Sequence, residues 1–288
     1  MPEPSNVSLE VLKDRAKFIR TETVRLSRIA GAGHYSSTFS CAEILSALYY
    51  SQLRIEPSRP DWDDRDRFVM SKGHAAIGLY PVLADLGYFD PAELETYTRL
   101  GSKYGDHPDM KKVRGLDFSS GSLGHGLSVG LGIALAGRVQ KKNYRTYVLL
   151  GDGEMAEGQI WEAAMAAGHF KAGHLVALLD RNGLCIDGHT EDIMSIEPIT
   201  DRFASFGWGV QRCDGHDLPQ VLDAFARLPD GTTGKPQVIV FDTVKGRGVK
   251  RMEMSLDWHV GNLVGEDYDD VMAELDAGLK PYEVEPAE

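Results

Sequence analysis

Two apolar runs, TYVLL (146 to 150) and HLVALLD (174 to 180), each end at a polar turn, and Asp152 and Asn182 in those turns stand thirty positions apart. That interval holds one strand-helix-strand crossover, with residues of about 158 to 168 as the helix. PQVIVFDT (236 to 243) and GWGVQRC (207 to 213) read as further buried strands, and Phe68 to Ser71 as a short one. Runs that are apolar at every position, rather than at alternate ones, suit strands covered on both faces. With helical segments at about 196 to 206 and 217 to 228, the order predicts an α/β fold: a parallel sheet with helices on both faces. Ligands of such sheets sit beyond the carboxyl ends of the strands.

Local signals place the remaining helices. Leu9, Leu12, Ala16, Ile19, Val24 and Leu26 recur near helical spacing, which predicts an amphipathic helix over 7 to 29 ending at the turn GAGHYSS. Ser40 with Glu43 fits a capping box ahead of ILSALYY, and Asp90-Pro91-Ala92-Glu93 fits another helix start. A further helix is expected from about Leu123 to Val139. No repeat, low-complexity tract or Pro/Ser-rich linker divides the chain, so residues 1 to 288 are expected to form a single domain with a tail fraying from about 281.

Composition narrows the function. Acidic residues outnumber basic ones 43 to 31, a formal net charge of −12, which argues against nucleic acid or an anionic membrane as partner. Cys41, Cys185 and Cys213 match neither a disulfide framework nor a zinc pattern, and neither signal peptide nor membrane span is recognisable, so a cytoplasmic setting is expected.

The chemistry lies at the strand ends. Gly151-Asp152-Gly153 follows TYVLL, and Arg181-Asn182-Gly183-Leu184 follows HLVALLD. If the two strands are neighbours, Asp152 and Asn182 emerge side by side. The glycines let backbone N–H groups approach an anion, while a carboxylate and an amide oxygen are hard ligands suited to Mg²⁺ or Ca²⁺. Either turn alone could be only a turn; the pair at crossover spacing is more specific.

The stretch GDGEMAEGQIWEAAMAAGHFKAGHLVALLDRNGLCIDG resembles the thiamine-diphosphate motif, and more narrowly its transketolase version. AGAGH (30 to 34), RDRFVMSKGHAAIGLY (65 to 80), HPDM (107 to 110), SSGSLGHGLSVG (119 to 130), GWGVQRCDGHD (207 to 217) and TVKGRGV with DWH (243 to 259) agree in order and spacing. The resemblance runs from residue 10 to about 262. It implies that thiamine diphosphate and Mg²⁺ (or Ca²⁺ or Mn²⁺) are bound. Asp152, Asn182 and the Leu184 carbonyl would coordinate the metal, with Gly153 against the diphosphate. Gly121 and Leu123 would line the cofactor channel, His74 and His259 would approach the diphosphate, and His34 and His107 would face the sugar. The positions of Glu157 and Glu162 also recur in the pattern, and the one matching Glu157 reaches toward the second active site. Glu154 is expected to face solvent. His125, His169, His174, His189 and His216 are expected to be satisfied structural residues.

Chemistry on that cofactor needs a carboxylate hydrogen-bonded to its aminopyrimidine ring. In transketolases this carboxylate lies in a second, pyrimidine-binding domain, in a chain of roughly twice this length. The resemblance therefore implies the N-terminal subunit of a split transketolase. A C-terminal subunit would complete it, in an α2β2 assembly acting on phosphorylated or otherwise anionic sugars, and the chain alone is expected to be inactive. The chain departs from the family pattern at three places: Tyr35-Ser36-Ser37 after His34, His125 after the SLG turn, and Asp106 where a glycine usually precedes His107-Pro108. They leave the sugar open. Two rival readings are the α subunit of a 2-oxoacid dehydrogenase, which shares the GDG-to-Asn motif, and a catalytically silent binding subunit. A nucleotide-binding Rossmann protein fits poorly, because no strand precedes Gly124-His125-Gly126 and the glycine spacing fails.

Overall fold

The computed structural model describes residues 7–279, so the tail expected to fray lies outside the described residues. Five strands, β1 (Arg67–Met70), β2 (Thr146–Gly151), β3 (Leu175–Arg181), β4 (Gly209–Asp214) and β5 (Gln237–Asp242), form one all-parallel sheet in the order β1-β2-β3-β5-β4. β2 and β3 are hydrogen-bonded neighbours, with Gly151 opposite Asp180. Their carboxyl ends therefore deliver Asp152 and Asn182 to the same edge of the sheet.

Among the described residues ten α-helices surround it: α1 (Leu9–Ala30), α2 (Tyr35–Phe39), α3 (Ala42–Ala47), α4 (Ala76–Asp85), α5 (His125–Val139), α6 (Gly158–His169), α7 (Thr190–Ile193), α8 (Ile199–Ser205), α9 (Leu218–Ala226) and α10 (Glu266–Asp276). The alternation of side chains along each strand sorts the core into two layers. Tyr147, Leu149, Leu178 and Phe241 pack with α1, α3, α4 and α9, whereas Val148, Leu150, Leu179 and Val240 pack with α5, α6 and α8. A third cluster joins Tyr35 and Phe39 to Leu263, Val271 and Leu275, and fastens the segment after β5 beneath α2.

α1 begins where its pattern suggests: the Ser8 side chain accepts from Val11 N–H at 3.3 Å, and Gly31 closes the helix with φ 77°. Three local expectations give way. Ser40 and Glu43 form no capping box; Cys41 precedes α3 without a side-chain cap, Ser40 Oγ donates to Asp180 Oδ2 at 2.6 Å, and Glu43 pairs with Arg20. A cap contributes about 1 kcal/mol, and leaving a buried charge unpaired costs several times more, so the distant partners win. Asp90 does cap, accepting from Ala92 N–H at 2.9 Å, but it opens the short, tight turn Pro91–Thr96 rather than an α-helix. The run at 207 to 213 is not a buried strand: β4 is an edge, and its residues are only partly covered.

Candidate active site

The turn after β2 is held by its own aspartate. Asp152 is 1 % exposed; Oδ1 accepts from Gly153 N–H at 2.9 Å, while Oδ2 accepts from Gly183 N–H at 2.6 Å and Arg181 Nη1 at 2.8 Å. One carboxylate thus ties the GDG turn to the RNGL turn. Asn182 is oriented from both sides, since Nδ2 donates to Asp180 Oδ2 at 3.2 Å and Oδ1 accepts from Leu184 N–H at 3.2 Å. The Leu184 carbonyl accepts from Lys245 Nζ at 3.0 Å. Burial and the nearby Asp180 charge raise the Asp152 carboxyl above its ordinary range, with Arg181 opposing them. Burial and Lys72 push the Lys245 ammonium down to about 8.

Among the described residues there is no cluster of three or more His, Cys, Asp or Glu side chains able to hold a metal. The expected set is of another kind: one carboxylate, one amide oxygen and one backbone carbonyl. These are the hard donors that Mg²⁺, Ca²⁺ or Mn²⁺ prefer, gathered in two turns that Asp152 itself staples together. Only glycine fits at the second glycine of the GDG turn, since a Cβ at Gly153 would lie 2.9 Å from Cys185 Cβ.

The structure also gathers four imidazoles from four distant segments, one of them, His259, within reach of the Lys245 charge. The His34 ring lies 5.2 Å from His74, 5.6 Å from His259 and 6.5 Å from His107, and His74 lies 5.7 Å from His259. His34 is the residue before α2, His74 follows β1, His107 lies in the loop before α5, and His259 precedes the pairing of Gly33 with Gly261. Burial lowers His74 well below the usual imidazole range and, with the Lys245 charge, brings His259 down to about 3. Both rings are therefore neutral at neutral pH, each with one donor and one acceptor nitrogen. His259 Nδ1 and Ser120 Oγ are buried without a hydrogen-bond partner among the described residues. Buried polar atoms in native folds are almost always paired, so two orphans beside the imidazole cluster suit a polar ligand.

Gly121 abuts His107, at whose Cδ2 a Cβ would lie 3.6 Å away, and Leu123 is part-buried in the same turn. Glu157, at the start of α6, and Glu162, within it, are both exposed and face away from the core. Among the other histidines, His216 is fully engaged: Nε2 accepts from Val244 N–H at 2.9 Å, so Nδ1 is the nitrogen facing Glu43 at 2.9 Å. His125, His169 and His189 are exposed, and His174 leaves Nδ1 buried without a partner among the described residues.

Glu154 corrects the expectation of a solvent-facing side chain. It is 2 % exposed, and its carboxylate accepts from Ser71 Oγ, from Gly124 N–H at 2.8 Å and from Gly151 N–H at 3.1 Å. Three inward donors offset the cost of burying the charge. Sequence reasoning also missed Lys72 and Asp180, which pair in the core; Lys72 Nζ further donates to Ser37 O at 2.6 Å, and Thr243 and Ser40 donate to Asp180. Burial alone would lower Lys72, but the Asp180 carboxylate holds its ammonium above the ordinary range. The signal for Asp180 was a charge ending an otherwise apolar strand. Arg20, four positions from both Ala16 and Val24 on the apolar stripe of α1, was a similar signal for the buried Arg20–Glu43 pair.

The chain is thus an α/β protein with hard oxygen donors at two adjacent strand ends of a parallel sheet, tied through Lys245 to a cluster that includes the neutral His74 and His259 rings. Residues 11–285 match the family model described as "Transketolase, thiamine diphosphate binding domain". The chain is similar to an apulose-4-phosphate transketolase subunit of Phocaeicola vulgatus, 39% identical over 279 residues, covering 97% of this chain and 99% of that one. It is likewise similar to a 6-deoxy-6-sulfo-D-fructose transketolase subunit of a Clostridium species, at 40% identity over 92% of this chain and 96% of that one. The fold superposes on the transketolase of Campylobacter jejuni with a TM-score of 0.87 at 28% identity, covering 94% of this chain but 43% of that one. The chain belongs to the transketolase family. It spans about two-fifths of the solved transketolases it matches and nearly the whole of the relatives called subunits.

Proposed function

We propose that the chain is the diphosphate-binding subunit of a two-subunit transketolase, moving a two-carbon ketol unit from a ketose to an aldose together with a C-terminal-type subunit in an α2β2 assembly. Two observations support this reading: Asp152 and Asn182 stand on neighbouring strand ends, and Lys245, which donates to the Leu184 carbonyl, also bears on His259 within the cluster of His34, His74 and His259 rings. Bound there, thiamine diphosphate supplies the nucleophilic carbon that such transfers require. This chain's residues do the holding and the orienting. Asp152, the Asn182 amide oxygen and the Leu184 carbonyl hold a divalent cation, Gly153 admits the diphosphate, and Gly121 and Leu123 line the channel. His74 and His259, both neutral and the latter with Nδ1 unpartnered among the described residues, hydrogen-bond to the diphosphate. His34 and His107 face the sugar, where imidazoles can hold or move a hydroxyl proton. Exposed Glu157 and Glu162 point out of this chain toward the assembly, Glu157 toward the second site.

The substrates are anionic sugars: the two relatives above are called transketolases for a sugar phosphate and a sulfosugar. The test is reconstitution of this chain with a pyrimidine-domain subunit, thiamine diphosphate and Mg²⁺, assayed with phosphorylated and sulfonated ketose donors. Ketol transfer by the pair and none by this chain alone is expected. Full transfer by this chain alone would overturn the two-subunit reading, and decarboxylation of a 2-oxoacid instead of transfer would overturn the reaction.

A further inference from the structure

Asp106 lies between the two imidazoles assigned to the sugar. His34 Nδ1 is 3.3 Å from Asp106 Oδ1, and His107 Nδ1 lies 3.6 Å from Asp106 Oδ2, a charge contact beyond hydrogen-bond length. The carboxylate is held in place. Tyr97 OH donates to Oδ1 at 3.4 Å, Tyr80 OH donates to the adjoining Gly105 carbonyl at 2.9 Å, and the two tyrosine rings meet edge to face. Partial burial works against ionisation of Asp106, but its hydrogen bond from His34 and the His34 charge hold it below the usual carboxylate range. At neutral pH it is therefore a pure acceptor.

An acceptor at Nδ1 decides the tautomer. Nδ1 of His34 must carry the proton, and in the neutral ring Nε2 is then a bare lone pair. Among the described residues the hydrogen bond of this ring is the one at Nδ1 to Asp106. The other groups facing this ring are the His74, His259 and His107 imidazoles. We propose that Asp106 is a positioning residue for the sugar: it fixes His34 in the Nδ1–H form, so that Nε2 accepts a hydrogen bond from a substrate hydroxyl rather than donating one to a carbonyl. That His34 meets sugar at all rests on the function proposed above; the tautomer does not.

The test begins with the full chain labelled with [¹⁵N]histidine, without partner or substrate. Long-range ¹H–¹⁵N spectra at about pH 8, above the ordinary imidazole range, identify the protonated nitrogen, with His34 assigned by signal loss in His34→Gln. The wild type should show His34 as Nδ1–H. Asp106→Ser removes the acceptor and Asp106→Asn can present an N–H to Nδ1, so both should shift His34 toward Nε2–H. In the reconstituted enzyme both variants should raise the KM for the ketose donor roughly tenfold with a smaller change in kcat, as for loss of one hydrogen bond to bound substrate. His34 as Nε2–H in the wild type overturns the proposal even if the variants fail to fold. So does an unchanged tautomer in both folded variants. An inactive reconstituted pair with the expected spectra would instead count against the function proposed above.

Discussion

The Glu154 carboxylate accepts the backbone N–H of Gly124 at 2.8 Å, which fixes the start of α5 to the turn leaving β2. Ser71 at the end of β1 and Gly151 at the end of β2 donate to the same carboxylate. Three segments at the carboxyl ends of β1 and β2 thus meet on one buried side chain. Glu154→Gln places an amide N–H against backbone donors and should cost about 1–3 kcal/mol of stability. Urea unfolding checks it, and an unchanged midpoint would contradict this role.

Gly124 has φ 86°, and a Cβ there would sit 2.6 Å from Glu157 Cβ. Gly124→Ala combines left-handed strain with a contact that must be relieved by moving Glu157, for a loss of about 1–3 kcal/mol. The same variant should weaken association with the partner subunit, measurable by analytical ultracentrifugation of the mixed chains. Normal stability together with normal assembly would remove both roles from this contact.

Glu43 is buried between Arg20, at 2.6 Å, and His216, at 2.9 Å. Burial opposes its ionisation, but Arg20 and His216 more than offset it and bring the carboxyl down to about 2. A depressed carboxylate contributes stability that is complete above the unfolded value, about 4.5, and is lost as pH falls toward about 2. Glu43→Gln leaves Arg20 buried and unpaired, so it should cost about 3–5 kcal/mol at neutral pH and flatten the acid limb of the stability curve. Denaturant melts between neutral pH and pH about 3 separate the two effects.

His259 stays neutral for the opposite electrostatic reason. Burial and the Lys245 charge depress it to about 3, so protons bind the unfolded chain first as pH drops below the ordinary imidazole value. Its contribution to stability is present above about 6.5 and declines as pH falls toward about 3. The His259 ring resonances should therefore remain flat between pH about 5 and 8, whereas an exposed imidazole titrates there. A midpoint near the ordinary value would refute the burial argument.

Asp152→Asn keeps the size of the side chain but removes the charged member of the oxygen set. Thiamine diphosphate binding in the presence of Mg²⁺, followed by calorimetry, should weaken by roughly a hundredfold or more. Equal affinity in wild type and variant would displace the metal from this turn.

What local pattern encodes was legible in the residues alone. Apolar runs marked the buried strands of a parallel sheet, the thirty-residue crossover put Asp152 beside Asn182, and the glycines around Asp152 marked a strand-end turn. Motif context also singled out the four histidines that the fold gathers. Tertiary structure alone decided where charges are buried and which strand ends at an edge. Ser40 left its capping box for Asp180, 140 positions away, and Glu154 turned inward to meet Ser71 and Gly124. Lys72 entered the core because Asp180 was there to meet it. The physical reason is one of range. Hydrophobic periodicity is written in neighbouring residues, whereas a buried charge is tolerable only beside a partner that the folded chain brings from elsewhere.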